Sequence, residues 1–167
     1  MLDLEDFFYL DIVLICGLPA CGKSQYAKTY FKSQEFKRIN RKEIRRLLFE
    51  MTTFEDKWSE KEFASVDEGL VKQIERKLLE NLLQNDQKVL IDNTSVSIVS
   101  RKSYIQLAQQ MKKTIGVLFL NTPVQVCMER NRKKSDPVPE RIIANLAAAI
   151  EMPNSSEGFK EVGIIKE

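Results

Sequence analysis

The residues best suited to do chemistry lie in a glycine-bounded segment near the N-terminus. Residues 17–24, GLPACGKS, match the pattern G-x-x-x-x-G-K-(S/T), with an apolar run before them and a helical pattern after them. In such a loop, backbone N–H groups surround the β-phosphate of a nucleotide, and the following helix adds the partial positive charge of its N-terminus. We expect the lysine to reach the β- and γ-phosphates and the serine hydroxyl to bind Mg²⁺. The sequence therefore predicts that ATP is held by Gly17, Pro19, Ala20, Cys21, Gly22, Lys23 and Ser24.

The composition of the 167 residues excludes several other kinds of chemistry. The chain has no histidine, which excludes Ser-His-Asp and Cys-His hydrolases and enzymes with histidine-bound zinc. Its three cysteines lack C-x-x-C spacing, which argues against a disulfide framework and a zinc site. The chain is 43% hydrophobic, yet no apolar run approaches the ~20 residues of a membrane span, and we expect no secretory signal in residues 1–17, which mix acids into an apolar stretch. We expect one cytoplasmic domain over residues 1–167, with no membrane span.

Charge is unevenly distributed along the first half of the chain. Residues 37–46 contain six basic residues and one acid, whereas residues 55–68 contain six acids and two lysines. Such segregation indicates a surface that meets an anion, although a solvated basic helix face would have the same composition.

Short apolar runs alternate with longer segments of helical period, and this alternation predicts an α/β fold with a doubly wound, mainly parallel sheet. The predicted strands are residues 10–16, 36–39, 88–91 and 114–120, with a candidate edge strand at 161–165. Four predicted helices cover residues 41–50, 59–84, 98–112 and 140–150. Two more are expected to begin near residue 22 and at residue 124. In the long segment 59–84, the apolar stripe is expected to be Val71, Ile74, Leu78 and Leu82.

Several later motifs follow in a characteristic order and spacing. Residues 39–45, INRKEIR, come after the second strand, and DNTS at 92–95 ends the next buried strand, with Arg101 seven residues after its threonine. Residues 130–134, RNRKK, precede the Val-Pro pair at 138–139. Together with the end of the chain, these motifs resemble the polynucleotide 5′-hydroxyl kinases of the phage and bacterial end-healing type, and the wider group of small P-loop kinases.

The resemblance implies an adenylate-kinase-like P-loop kinase fold, with the loop strand near the centre of the sheet and a small helical lid at about residues 130–139. It also implies ATP and Mg²⁺ as cofactors and the 5′-hydroxyl of a nucleic acid as acceptor. For the ATP side, it implies catalytic roles for Lys23, Asp92, Arg130 and Arg132, magnesium binding by Ser24 and Asp92, and ATP contacts from Arg130 and Lys134. For the acceptor side, it implies substrate binding by Arg41, Arg45, Thr94 and Arg101.

Physical arguments support parts of this assignment and leave alternatives open. Asp92 ends a strand beside the loop, where a carboxylate can orient magnesium, but it could also cap the next helix. Guanidinium groups of Arg130 and Arg132 suit the charge that spreads over a transferring phosphoryl group, but cations also favour the C-terminal end of a helix.

One position departs from the family pattern. The family places an aspartate after the first arginine of its N-R-D-x-x-R element, where it accepts the proton of the hydroxyl, and this chain has Lys42. A lysine with a pKa near ~10.4 is protonated at neutral pH and is a poor base. Three alternatives stay open: Glu43 is repositioned as the base, Asp92 takes that role, or transfer is slow. Glu43 also fits a capping box that begins at Asn40.

Three functional hypotheses follow from these observations. The first is transfer of the γ-phosphoryl group of ATP to a nucleic-acid 5′-hydroxyl. The second keeps the reaction but makes the acceptor a small metabolite. The third is a nucleotide-binding module whose phosphoryl transfer is lost or weak because of Lys42.

Overall fold

Five apolar segments form a parallel sheet in the computed structural model, which describes residues 3–166. The strand order is β2-β3-β1-β4-β5, and every neighbouring pair is parallel. This confirms the α/β fold, with the loop strand β1 at the centre and β5 at one edge. The strands are β1 (Ile12–Cys16), β2 (Lys37–Ile39), β3 (Val89–Asp92), β4 (Ile115–Asn121) and β5 (Glu161–Lys166).

Seven α-helices and three short 3₁₀ segments connect these strands within residues 3–166. The α-helices are α1 (Glu5–Phe8), α2 (Lys23–Tyr30), α3 (Arg41–Thr52), α4 (Glu68–Gln84), α5 (Ile98–Gln110), α6 (Val124–Arg132) and α7 (Glu140–Ala148). The 3₁₀ segments are Lys32–Gln34, Glu60–Ser65 and Ser155–Glu157. None of the helices in the described part of the chain combines the length and apolar character needed to cross a membrane.

The acidic segment before α4 differs from the predicted single helix over residues 59–84. It forms a separate 3₁₀ turn, and α4 begins only after Asp67, whose side chain accepts hydrogen bonds from the backbone N–H groups of Gly69 and Leu70. A side-chain oxygen that satisfies the free N–H groups of a first turn defines a helix start, so the helix is shorter than its apolar pattern suggested.

The buried stripe of α4 also differs from the expected one. Its buried residues are Val71, Glu75, Leu79 and Leu83, whereas Leu78 is 44% exposed. A glutamate occupies a core position because its carboxylate has buried hydrogen-bond partners, described below, and these offset the cost of burying a charge.

The sheet brings the phosphate-binding loop and the end of β3 to one edge. In the β1–β3 ladder Ile15 lies opposite Asp92, and the N–H of Gly17 donates to the carbonyl of Thr94 over 2.9 Å. All residues of β1 and β3 are buried. A rigid, fully covered pair of strands therefore holds both segments at the carboxyl edge, where ligands bind in open α/β sheets.

Candidate phosphoryl-transfer site

The loop over residues 17–24 has a backbone that requires glycine at two positions. Gly17 and Gly22 have φ values of +146° and +100°. A Cβ atom on Gly17 would lie 2.7 Å from the Sγ atom of Cys21 and 2.8 Å from the carbonyl oxygen of Leu120. Gly22 is the residue that precedes α2, so the loop leads directly into a helix N-terminus. This is the geometry in which backbone N–H groups and the helix dipole meet an anion.

Lys23 lies folded over this loop. Its Nζ atom donates to the carbonyl oxygens of Gly17 and Leu18 over 2.9 and 2.7 Å, and lies 3.7 Å from the Sγ atom of Cys21. Neutral carbonyl acceptors are weaker partners for an ammonium group than phosphate oxygens. The lysine is therefore held at the loop by bonds that a bound phosphate can replace.

Asp92 is the centre of a cluster of charged and polar side chains beside the loop. Its carboxylate is fully buried, and its Oδ2 atom accepts hydrogen bonds from Ser24 Oγ over 2.8 Å and from Arg38 Nε and Nη2 over 2.9 and 2.8 Å. The Nδ2 atom of Asn40 donates to the backbone carbonyl of Asp92 over 2.8 Å. In residues 3–166, the buried Oδ1 atom of this carboxylate has no hydrogen-bond partner.

Glu43 joins the same cluster through Arg38. Its Oε1 atom accepts a hydrogen bond from Arg38 Nη1 over 2.8 Å. The expected capping box is therefore only half formed: Asn40 Oδ1 accepts the N–H of Glu43 over 2.9 Å, while the glutamate side chain pairs with the arginine. Burial acts to lower the pKa of Arg38, but its bonds to Glu43 and Asp92 raise that pKa above its ordinary value. The guanidinium thus stays charged between two carboxylates.

Arg38 was not a sequence candidate. It stands in a three-residue edge strand, where composition indicates only a basic surface. The signal that could have found it is register, because Arg38 pairs with Leu90 in β3, two residues before Asp92. Side chains two residues apart in a strand share a face, which brings an arginine on the neighbouring strand close to the aspartate.

Lys42 lies outside the cluster around Asp92. Its ammonium group forms an ion pair with Glu60 and lies 5.7 Å from the centre of the Trp58 ring. The residue at the position of the family base is thus engaged by the acidic segment, whereas its neighbour Glu43 reaches the cluster.

The arginines expected to bind the acceptor are paired within the chain. Arg45 donates two hydrogen bonds to the carboxylate of Glu68 over 2.9 and 2.8 Å, and its guanidinium lies 4.4 Å from the centre of the Phe63 ring. Arg41 donates to Glu75 over 2.6 Å. Much of the basic surface on residues 37–46 therefore meets the chain's own carboxylates.

Glu75 connects α4, α3, α5 and the residue that follows β3 in one network. Its Oε1 atom accepts hydrogen bonds from Asn93 Nδ2 over 2.6 Å and from the Tyr104 hydroxyl over 2.9 Å, and Asn93 Oδ1 accepts the N–H of Arg41 over 3.0 Å. Burial, followed by the charge of Glu75, raises the pKa of Tyr104, so its hydroxyl remains a donor. The network fixes the start of α3, and with it Glu43, relative to the end of β3.

Arg101, for which the resemblance implies substrate binding, is buried and paired within the chain. The side chain is fully buried and forms two hydrogen bonds with Glu157, over 2.9 and 2.8 Å, and one with the carbonyl of Ser95 over 3.2 Å. The pair joins α5 to the 3₁₀ turn before β5. In this arrangement a carboxylate and a carbonyl of the chain itself hold the guanidinium.

The expected lid consists of the end of α6, a non-helical strap over residues 133–139 and the start of α7. Asn131 is buried and joins both ends of the strap. Its Nδ2 atom donates to the carbonyl of Val138 over 2.7 Å, and its Oδ1 atom accepts the N–H of Val138 over 2.9 Å. Arg130 and Arg132 are exposed on the last turn of α6, and Arg132 pairs with Glu140. Burial, followed by the charges of Lys42 and Lys23, lowers the pKa of Lys134.

Comparison with known proteins agrees with this geometry. A family model described as AAA domain matches residues 12–153. The chain is 22% identical over 144 residues to the L-seryl-tRNA(Sec) kinase of Methanococcus maripaludis, an alignment that covers 86% of this chain and 54% of that protein. It is 25% identical over 157 residues to the bifunctional polynucleotide phosphatase/kinase of Schizosaccharomyces pombe, covering 91% of this chain and 32% of that protein. The chain thus spans about half, or less, of the length of these relatives.

Solved structures extend the similarity of the fold. A gluconokinase from Sinorhizobium meliloti superposes with a TM-score of 0.59 at 12% identity, covering 92% of this chain and 81% of that one. At this level of identity the superposition concerns the arrangement of strands and helices, which is that of an α/β P-loop kinase.

Proposed function

The chain belongs to the AAA domain family, and from this premise we propose that it transfers the γ-phosphoryl group of ATP to a hydroxyl carried by a nucleic acid, with a 5′-hydroxyl as the leading candidate. The observation that carries the proposal is the cluster of Ser24, Asp92, Arg38 and Glu43 directly beside the loop that carries Lys23. It places a hydroxyl, two carboxylates and two cations at one edge of the sheet.

The ATP side of the proposal rests on the loop and the strap. Residues 17–24 surround the β-phosphate, and Lys23 exchanges its two carbonyl partners for β- and γ-phosphate oxygens. Arg130, Arg132 and Lys134 approach the transferring phosphoryl group from the strap side. For Arg132 this requires a change of partner from Glu140, an exchange that costs little at an exposed ion pair.

The residues beside the loop fit a magnesium ion. Mg²⁺ prefers oxygen ligands and is held in kinases by few protein groups together with phosphates and water. Ser24 Oγ and the unpartnered Oδ1 atom of Asp92 are such oxygens. Residues 3–166 contain no group of three or more His, Cys, Asp or Glu side chains placed to hold a metal. When bound, the ion would neutralise phosphate charge.

Glu43 is the proposed general base. The acceptor oxygen attacks the γ-phosphorus, the bond to the β-phosphate oxygen breaks, and the acceptor proton passes to the Glu43 carboxylate, leaving ADP. The Oδ2 atom of Asp92 already accepts three hydrogen bonds, whereas Glu43 is bonded to Arg38 through one oxygen and is exposed. A carboxylate oxygen has a lone pair that can accept this proton, and the ammonium of Lys42 has none.

The acceptor class is supported by the names of the relatives matched over most of this chain. One is a kinase of L-seryl-tRNA(Sec) and the other a polynucleotide phosphatase/kinase, so each name includes a nucleic acid. The fold similarity to a gluconokinase motivates the small-metabolite alternative.

A panel of acceptors tests this proposal. The protein is incubated with γ-labelled ATP and Mg²⁺ and with a 5′-hydroxyl RNA, a 5′-hydroxyl DNA, seryl-tRNA or gluconate, and Lys23→Ala is the matched control. We expect labelled nucleic acid with the wild type and none with the variant. Label on gluconate alone would contradict the nucleic-acid acceptor. ATP binding without transfer to any acceptor would contradict the enzyme and leave a nucleotide-binding module.

A further inference from the structure

Arg38 places its guanidinium group on the two side chains that fit a magnesium ion. Its Nη2 atom lies 2.8 Å from Asp92 Oδ2 and 3.4 Å from Ser24 Oγ, and its Nε atom lies 2.9 Å from the same carboxylate oxygen. The Ser24 hydroxyl donates its own proton to Asp92 over 2.8 Å, so its contact with Arg38 uses an oxygen lone pair. A metal ion would need the same lone pair. A cation of the chain itself therefore lies on the oxygen atoms that a metal would use.

Arg38 and a metal ion are expected to compete for these oxygen atoms. Asp92 is fully buried, so water screens the repulsion between two cations on its carboxylate only weakly. Ser24 has a single hydroxyl oxygen to offer to both. Mg²⁺ also tolerates little distortion of its octahedral shell of oxygen ligands. Binding of the metal therefore favours departure of the guanidinium group from Asp92.

The Arg38 side chain has a second partner that makes its departure feasible. Its Nη1 atom donates to Glu43, an exposed carboxylate of α3, over 2.8 Å. The Arg38 side chain is itself 31% exposed, and β2 is an edge strand. After leaving Asp92 the guanidinium group would keep a carboxylate partner and gain water, so its charge would not be stranded in the core.

The Asp92 carboxylate is only half satisfied by Arg38. Its Oδ2 atom accepts three hydrogen bonds, whereas its buried Oδ1 atom has no hydrogen-bond partner in residues 3–166. Buried polar atoms are almost always hydrogen-bonded. Arg38 thus balances the charge of Asp92 without using both oxygens, and a cation that also used Oδ1 would fit this carboxylate better.

We propose that Arg38 is an internal cation that holds Ser24 and Asp92 in the nucleotide-free protein and leaves them when the magnesium complex of a nucleotide binds. The proposal rests on the nucleotide side of the proposed function and adds the residue that sets its metal dependence. Metal-free nucleotide leaves Arg38 on Asp92, beside Ser24 of the loop, where its charge attracts phosphate. Arg38 therefore narrows the difference in affinity between metal-free and magnesium-bound nucleotide.

ADP binding with and without metal tests this exchange. The Kd of ADP is measured by calorimetry for the wild type and Arg38→Gln, in Mg²⁺ and in EDTA, and the two values are expressed as a ratio. We expect Mg²⁺ to improve the affinity at least tenfold more in Arg38→Gln, because the two hydrogen bonds to Asp92 no longer have to be broken. Arg76→Gln is the matched control and should have the wild-type ratio, since it removes an arginine that pairs with Glu80 within α4.

A purely structural role for Arg38 gives a different result. Loss of a structural arginine would weaken ADP binding equally in both conditions and leave the ratio unchanged. An equal ratio in the wild type and Arg38→Gln, or a smaller ratio in the variant, would overturn the proposal.

The wild-type protein offers a measurement that does not depend on the stability of any variant. The Nε–H group of Arg38 donates to Asp92, so its proton should exchange slowly with solvent in NMR spectra of arginine-labelled protein. We expect this protection to persist with ADP and EDTA, and the exchange rate to rise at least tenfold with ADP and Mg²⁺. A proton that stays protected with ADP and Mg²⁺ would overturn the exchange.

These measurements involve no acceptor, so this proposal and the proposed function can fail separately. Phosphoryl transfer by a protein in which Arg38 stays on Asp92 would overturn this proposal alone. Exchange of Arg38 in a protein that transfers phosphate to no acceptor would support this proposal and overturn the kinase. If ADP did not bind in either condition, both would be overturned.

Discussion

Replacement of Arg38 by glutamine is expected to destabilise the protein strongly. Arg38 donates two hydrogen bonds to the fully buried carboxylate of Asp92 and one to Glu43. The variant leaves the Asp92 carboxylate buried with Ser24 as its remaining side-chain donor. Removing one partner of a buried ion pair costs about 3–5 kcal/mol. The Arg38 side chain is 31% exposed, so we expect the lower end, about 3 kcal/mol.

Urea denaturation and thermal melting measure this effect. For a chain of this size, ~1 kcal/mol corresponds to about 2–4 °C in Tm, so Arg38→Gln should lower Tm by roughly 6–12 °C. Arg132→Gln is the matched control, because it removes an arginine whose carboxylate partner, Glu140, is exposed. We expect no measurable change in that variant. Asp92→Asn combined with Arg38→Gln should recover part of the loss, because the unpaired buried charge is then absent.

The reasoning about the Asp92 cluster would be refuted if Arg38→Gln were no less stable than Arg132→Gln. It would be refuted equally if the double variant lost the sum of the two single losses. Either result would mean that Arg38 and Asp92 are not energetically coupled.

Three further predictions concern the base, the buried arginine and the buried thiol. Glu43→Gln should lower kcat by about 10²–10⁴-fold with ATP binding unchanged, whereas Lys42→Ala should retain most of kcat. If steady-state kinetics showed the larger loss of kcat in Lys42→Ala, Glu43 would be excluded as the base. Arg101→Met should lower the free energy of unfolding by about 3–5 kcal/mol, because it leaves the Glu157 carboxylate buried without its ion-pair partner. A loss under ~1 kcal/mol in urea denaturation would contradict this prediction. Burial raises the pKa of Cys16 to about 12, so its thiol is protonated at pH 8 and should resist iodoacetamide until the protein unfolds, as peptide mass analysis would show.

The fold and the loop could be predicted because their signals are local. The motif at residues 17–24 specifies a backbone shape within eight residues, and an apolar run before it specifies the central strand. Asp92 was placed correctly because a residue at the end of a buried parallel strand must lie at the edge where the loop emerges.

The partners of the charged side chains could not be predicted in the same way. Arg38 and Asp92 are 54 residues apart, and their contact depends on the register of β2 against β3. Glu75 occupies a core position of α4, where helical periodicity predicts an apolar residue. It can be buried there because its partners Arg41, Asn93 and Tyr104 come from distant parts of the sequence. The burial of Arg101 could not be predicted either, because charged residues are almost always exposed unless paired, and its partner Glu157 lies 56 residues away.

The acidic segment shows the same limit. Composition alone indicated that the basic residues 37–46 meet an external anion. In the folded chain Glu60 and Glu68 form ion pairs with Lys42 and Arg45. The charge available to a ligand is therefore decided by tertiary pairing, which composition does not show.

Transfer of labelled γ-phosphate from ATP to a 5′-hydroxyl oligonucleotide tests the central claim most directly. Wild type, Lys23→Ala and Glu43→Gln are compared at saturating ATP and Mg²⁺ with equal amounts of folded protein. The account predicts labelled 5′ ends with the wild type, none with Lys23→Ala, and a loss of at least ~100-fold with Glu43→Gln. Wild-type protein that binds ATP but leaves the oligonucleotide unlabelled would contradict it, as would full activity in Glu43→Gln.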